Sequence, residues 1–299
     1  MTQTRQEQEA EVLRLEAEAA RLETQQVAAA RTDLGAFLEF TLRDEQSGSR
    51  IRLADIHYSW IRHITVCWAQ GLIPWIMAPF GAGKTSFVVG LSLFCLGIDR
   101  NLRGRIISAN DQLAKDRVTL LRQYIQYSDP YHQVFPLVQP SETNAWTTRT
   151  LFVTRDTMAK DPTFQACGAT SSITGARVDL LILDDICDLR NMILYPKLRS
   201  TVWQKYLEAI ARVEEHGRVA SIATRWHQDD VYGRITRDVD MAQNYGFLIQ
   251  SAADDFSGID CEVILGHGRR NRRREHVPRT KLEDLIQLWD QGYLQQEAR

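Results

Sequence analysis

From residue 71 onward the chain alternates short apolar runs with longer stretches in which apolar residues recur at spacings of three and four. Short apolar runs bury as strands and 3.6-period stretches bury one helical face, so this alternation predicts an α/β fold with a mainly parallel sheet between two helical layers. Strands are predicted at 73–78, 105–109, 150–154, 180–184, 218–223 and 247–252, with long helices at 84–96 and 111–127. The stretch 128–148 carries Pro130, Pro136 and Pro140 and reads as loop. Upstream, Val12, Leu15, Ala19 and Leu22 mark one face of an amphipathic helix that runs to about residue 31. Its apolar pattern lasts about two heptads, too short for a self-standing coiled coil, so an accessory arm that packs on a neighbour or frays is expected. A helix at 34–42, a polar Gly-Ser turn at 47–49 and a helix at 54–70 follow. After residue 251 the alternation breaks into a Gly-rich loop with clustered arginines and a closing helix at 280–291. The organisation read from this pattern is an arm at 1–31, a core at 32–250, and a linker-like basic tail at 251–299.

A chain of 299 residues holds one sizeable α/β domain plus accessory helices, not two. Hydrophobic content of 44% and charged content of 25% are ordinary for a soluble protein, and no apolar stretch reaches the roughly 18 residues of a membrane span. The first thirty residues lack the apolar segment of a secretory signal, and the five cysteines are odd in number and widely spaced. Reduced thiols in a cytoplasmic protein are therefore expected. The net charge of −2 is low for a partner of nucleic acid, but Arg269, Arg270, Arg272, Arg273 and Arg274 form a dense basic cluster. Two readings of that cluster stay open: a contact to DNA phosphates, or a contact to another subunit.

The apolar run Trp75-Ile76-Met77-Ala78 empties into Pro79-Phe80-Gly81-Ala82-Gly83-Lys84-Thr85-Ser86. A glycine-rich turn between a strand and a helix brings backbone N–H groups to phosphate oxygens, with the helix's positive end aimed at them. Phe80, Gly81, Ala82, Gly83, Lys84, Thr85 and Ser86 thus form a predicted ATP cradle, in which Lys84 reaches the β/γ-phosphates and Thr85 a Mg²⁺. The pattern departs from GxxxxGK(S/T) only at Ala78, at the strand exit, where a small residue is tolerable. About a hundred residues later, Leu180-Leu181-Ile182-Leu183 ends in Asp184-Asp185. Two acids at the carboxyl end of a buried parallel strand suit a metal shell, assigned to Asp184, and an attacking water, assigned to Asp185.

Further stretches are more specific. Ile173-Thr174-Gly175-Ala176-Arg177-Val178-Asp179, Gly97-Ile98-Asp99-Arg100-Asn101-Leu102-Arg103, Ser128-Asp129-Pro130-Tyr131-His132-Gln133-Val134-Phe135-Pro136, and above all Thr224-Arg225-Trp226-His227-Gln228-Asp229-Asp230 followed by Gly233-Arg234, resemble the ATPase half of the large terminase subunit of tailed bacteriophages. The likeness covers roughly residues 50 to 299. It implies a P-loop NTPase of the additional-strand type, with ATP and Mg²⁺ as cofactors. The implied activity drives double-stranded viral DNA into a procapsid, in the cytoplasm of an infected bacterium and transiently docked on the portal. Partners implied are the portal protein, the small terminase subunit and further copies in a ring, expected to be a pentamer.

The resemblance also implies residue roles. Asp-Asp is a recurring variant of its acidic pair, which supports Asp185 as the catalytic carboxylate although it is one methylene shorter than Glu. Thr224 and Arg225 take the place of a coupling motif that senses the γ-phosphate, while Trp226 and His227 pack and cap. Where many members carry an arginine in the phosphate loop, this chain has Phe80, so an arginine from a neighbouring subunit is expected; Arg177 stands first, with Arg155 and Arg149 behind it. His57 and Trp60 match the helix near which adenine binds, with core packing an equal reading for Trp60. In the family a tail such as 251–299 leads to an RNase H-type nuclease, which this chain is not expected to contain. Two rival readings remain: a helicase-like DNA translocase, which should carry a second motor domain, and a nucleotide-gated assembly protein with little turnover.

Overall fold

The computed structural model describes residues 2–172, 175, 177–252, 259–265 and 273–277. Nine strands form one sheet: β1 (Ile73–Met77), β2 (Gly104–Ser108), β3 (Thr150–Leu151), β4 (Phe164–Gly168), β5 (Val178–Asp184), β6 (Val213–Ala223), β7 (Tyr245–Ala252), β8 (Ile259–Leu265) and β9 (Arg273–Val277). Their order is β3-β4-β2-β5-β6-β1-β7-β8-β9. From β4 to β7 every pairing is parallel, and β3, β8 and β9 add antiparallel edges. Strand β6 lies between the phosphate-loop strand β1 and the acidic strand β5, which is the extra strand that the additional-strand fold requires.

Side chains alternate across a strand, so each central strand feeds two cores. Ile76, Ile106, Leu180, Ile182 and Ile222 face one side, where they meet Phe37 and Leu38 of α2 (Leu34–Thr41), Trp60 of α3 (Asp55–Ala69), Val89 and Leu93 of α4 (Lys84–Ile98), and Leu121 of α5 (Asp111–Tyr127). Trp75, Met77, Ile107, Leu181 and Leu183 face the other, against Val202 and Tyr206 of α7 (Leu198–Ile210) and Tyr232 of α8 (Val231–Arg237). Three layers result, as the alternation predicts.

The differences have local causes. The expected loop at 128–148 contains α6 (Asp129–Val134), because the Ser128 side chain accepts from the Tyr131 N–H and Pro130 sits in the first turn, where a missing N–H costs nothing. Strand β4 escapes prediction because Phe-Gln-Ala-Cys-Gly is short and has neither a β-branched residue nor an unbroken apolar run; tertiary pairing with β2 makes it a strand. Of the predicted strand 150–154 only Thr150–Leu151 pairs as one. Strand β6 starts five residues earlier than its apolar run.

Helix α1 (Thr2–Ala30) exposes Val12, Leu15 and Leu22 to solvent. Among the described side chains the arm packs at its carboxyl end, where Val27 and Ala30 join the core, Gln26 accepts from Arg50 and Arg31 donates to the Val134 and Gln133 carbonyls. Short α9 (Val239–Ala242) leads into β7, and the expected boundary at residue 250 falls inside that strand. Arg269, Arg270, Arg272 and the helix at 280–291 lie outside the described residues, whereas Arg273 and Arg274 open β9 rather than sitting in a loop. No helix among the described residues is long and apolar enough to cross a membrane.

Candidate functional site

Parallel strands aim their carboxyl ends the same way, and the register here brings three candidate segments together, the ends of β1, β6 and β5. Met77 pairs with Ala223 and Asp184 with Ile222, so β6 is the rung between the phosphate loop and the acids. The Ala78 N–H donates to the Ala223 carbonyl (3.0 Å) and the Asp185 N–H to the Ile222 carbonyl (3.0 Å). Ala78 therefore still sits in ladder geometry with negative φ, and a methyl group in place of the missing glycine costs nothing.

The loop turns on Gly81 (φ 76°) and Gly83 (φ 75°), left-handed conformations that a side chain strains. Helix α4 begins at Lys84 with Gly83 as N-cap and no side-chain cap bond, which leaves first-turn N–H donors at Thr85 and Ser86 for an anion. His57 braces the loop from α3. Its Nδ1 accepts from the Ala54 N–H (3.0 Å), so Nε2 carries the proton and donates to the Ala82 carbonyl (3.0 Å). Both ring nitrogens are thus engaged with backbone, and the ring holds the cradle instead of presenting a free polar edge to a base. Trp60 is fully buried, edge-on to His57 and Phe87, and donates to Gln250, so the packing reading holds for it.

Lys84 is the hub. Its ammonium donates to the carbonyls of Ala78 (3.2 Å) and Pro79 (3.0 Å) and to Thr224 Oγ1 (2.7 Å), with Asp185 Oδ2 at 3.8 Å. Burial draws its pKa below the ordinary lysine value, and the Asp185 and Asp184 charges pull it back up. Asp185 Oδ1 accepts from the Thr224 N–H (2.6 Å), so one residue at the end of β6 touches both the lysine and the acid. Asp185 is the non-glycine residue with positive φ (45°) among those described, a strained backbone of the kind that gathers at functional sites.

Asp184 is 1% exposed. Its Oδ2 accepts from Arg117 Nε of α5 (2.7 Å), while Oδ1 has no protein partner. Burial raises the Asp184 carboxyl above its ordinary range, and the Arg117 guanidinium opposes the rise. An arginine in a polar helical face carries no local signal in the sequence; only the fold, which packs α5 on β2 and β4 and so carries Arg117 to the end of β5, reveals its partner.

The other predicted residues are spread out. Arg225 is exposed and stacks on Tyr232 at 4.8 Å, without a bond to Lys84, Asp185 or Thr224. Trp226 packs edge-on to Phe80 (5.5 Å), and Phe80 is 69% exposed at the mouth of the loop. The rest of that block builds a rigid corner: Asp230 caps α8 through the Gly233 N–H (2.7 Å), His227 Nδ1 accepts from the Asp229 N–H (2.9 Å), and Asp229 holds Arg234 (2.8 Å). Arg177 precedes β5, at the amino-terminal edge of the sheet, roughly 20 Å of strand away from Asp184 at about 3.3 Å per residue. It pairs with Glu214 and cannot serve the site of its own chain. The Arg155 guanidinium donates to the Asp161 and Leu102 carbonyls and is tied up in the fold, whereas Arg149 is half-exposed at the carboxyl edge and bonded to Asp111.

No protein-family model matches this chain, and no curated protein does. Among solved structures, the HK97 bacteriophage large terminase is similar at 15% identity and a TM-score of 0.50, over 75% of this chain and 44% of that one. The ATPase domain of a Thermus phage large terminase (16% identity, TM-score 0.34, 55% of this chain and 63% of that one) and a hypothetical ATP-dependent RNA helicase from Sulfolobus tokodaii (11%, 0.38, 76% and 57%) are also similar, at scores that decide nothing. The chain spans under half the length of the HK97 protein. With β6 between β1 and β5 and the phosphate loop, acids and Thr224 at one edge, this chain has the three-layer P-loop ATPase fold that it shares with the HK97 large terminase.

Proposed function

We propose that this chain is a Mg²⁺-dependent ATPase that moves double-stranded viral DNA into a procapsid, the motor part of a phage large terminase acting in the host cytoplasm at the portal. The observation that carries the reading is the linkage of Lys84, Thr224 and Asp185, which ties the phosphate loop, the extra strand and the acidic strand into one bonded unit.

The residues fit both cofactors. Glycines at positive φ and uncapped amides suit a phosphate chain, and the buried, unpartnered Asp184 Oδ1 suits the hydration shell of a cation. When bound, Mg²⁺ neutralises charge on the transferring phosphate. Thr85 and Asp184 hold the metal, the amides from Phe80 to Ser86 hold the phosphates, and Lys84 exchanges its loop carbonyls for phosphate oxygens. Asp185 accepts the proton of the attacking water. Thr224, bonded to both Lys84 and Asp185, moves when either partner changes its bonds and so passes nucleotide state into β6; Arg225 acts from the corner that follows. A transition-state arginine comes from a neighbouring copy in a ring, for which Arg177 is exposed and unable to act within its own chain. DNA, portal and small-subunit contacts complete the assembly, with Arg269, Arg270, Arg272, Arg273 and Arg274 assigned to DNA phosphates.

The test is ATP turnover and binding of a fluorescent nucleotide by Lys84→Ala. Turnover falls to background and nucleotide affinity drops; a variant that keeps the parent rate refutes the assignment.

A further inference from the structure

The segment that joins β5 to α7 carries no role so far, although it begins directly behind the acid pair. It is rigid at its base. The Asp188 and Asn191 side chains each accept from the other's backbone N–H (2.7 and 2.8 Å), Asn191 Nδ2 donates to the Ile186 carbonyl (2.9 Å), and Arg199 Nε donates to the Met192 carbonyl (2.6 Å). Asn191 and Met192 are buried. Above this base a π-helical turn, Arg190–Leu194, holds its tip in solvent; such turns are rare and gather at functional sites. Leu189, Ile193, Leu194 (61% exposed) and Tyr195 (54% exposed) stand out from it.

Its charge is one-sided. No Asp or Glu occurs between Asp188 and Glu208, while Arg190, Lys197 and Arg199 fall in that interval. Several arginines elsewhere are neutralised, as Arg103 is by Asp179, Arg117 by Asp184, Arg149 by Asp111 and Arg234 by Asp229. Arg190, Lys197 and Arg199 make no ion pair among the described residues, and Arg190 lies instead over the Tyr195 ring at 5.6 Å. In a chain of net charge −2, unneutralised cations around an exposed apolar tip are complementary to a polyanion with apolar faces.

We propose that the turn at 189–199 is a contact for duplex DNA, in which Arg190 and Lys197 meet backbone phosphates and Leu194 and Tyr195 lie against sugars and the groove wall. The proposal deepens the translocation reading, on which it rests for its ligand: only three residues separate Asp185 from Leu189, so a push on the tip reaches the acid through a pinned turn.

The test is fluorescence anisotropy of a labelled duplex with the full chain, without nucleotide, across a salt series. Each lost phosphate contact lowers the slope of log K against log salt by about 0.9, so Arg190→Ala with Lys197→Ala reduces it by nearly 2 and weakens binding roughly thirtyfold at 0.15 M salt, alike for unrelated sequences. Arg190→Lys with Lys197→Arg keeps the slope, and Tyr195→Ser weakens binding without changing it. Thermal melts and ATP turnover without DNA stay at parent values in all three. Unchanged affinity and slope in the double alanine variant overturn the proposal. So does a change in oligomeric state with DNA binding intact, which assigns the turn to a protein partner. Because the anisotropy series omits nucleotide, a failed ATPase reading leaves its result unchanged and is distinguishable from failure here.

Discussion

Arg117→Ala tests the link between the α5 packing and the acid pair most directly. The substitution removes the guanidinium from Asp184 Oδ2 and leaves a carboxylate that is 1% exposed with neither oxygen partnered. Breaking one side of a buried ion pair costs about 3–5 kcal/mol, because the remaining charge keeps its desolvation penalty. The lower end applies here, since Asp184 can take up a proton: burial already raises its pKa, and Arg117 is the leading influence that lowers it. A loss of about 3 kcal/mol corresponds to a fall in melting temperature of roughly 6–12 °C for a domain of this size. The sign with pH follows from the raised folded pKa: stability from this group is present below its unfolded pKa and lost as pH rises through the folded one. Without Arg117 the folded pKa climbs further, so the deficit relative to the parent is largest at neutral pH and shrinks as pH falls. Thermal and urea melts at several pH values measure this, with Asp184→Asn completing a double-mutant cycle. In the Asn background the loss of Arg117 costs about 1 kcal/mol or less, because no charge is left stranded. A melting temperature within a degree of the parent, a deficit independent of pH, or strictly additive single effects refutes the argument.

Asp185→Asn keeps nucleotide binding and stops hydrolysis, since an amide cannot accept the proton of water; loss of Mg²⁺-nucleotide affinity in a binding titration instead shows that the roles of Asp184 and Asp185 are exchanged. Gly233→Ala places a Cβ 1.9 Å from the Gln228 carbonyl oxygen, a backbone atom that cannot step aside, and destabilises the corner by about 1–3 kcal/mol in a urea melt. A melt unchanged from the parent means that the corner is loose and that its capping bonds do not hold Arg225 in place.

What the sequence determined by itself is what local physics encodes. Short apolar runs and period-3.6 stretches placed β1, β2, β5 and α3 to α5 close to their observed bounds, because burial of one face or two is written in the order of apolar residues. The tight turn between β1 and α4 was legible because Gly81 and Gly83 supply the positive φ that it needs and Lys84-Thr85 opens the helix that follows. The place of Asp184-Asp185 at a strand's carboxyl end was legible because four apolar residues, Leu180 to Leu183, run directly into it. The tertiary structure alone decided the rest. Strand β4 exists because β2 pairs with it, and α6 exists because Ser128 caps a turn that the prolines of 128–148 mark as loop in the sequence. Arg117 became part of the site through a contact spanning 67 residues, and Arg177 left its own site because β5 carries it to the opposite edge of the sheet. Thr224 joins Lys84 to Asp185 because β6 inserts between β1 and β5, and strand order is a property of long-range pairing to which no stretch of chain holds the key alone.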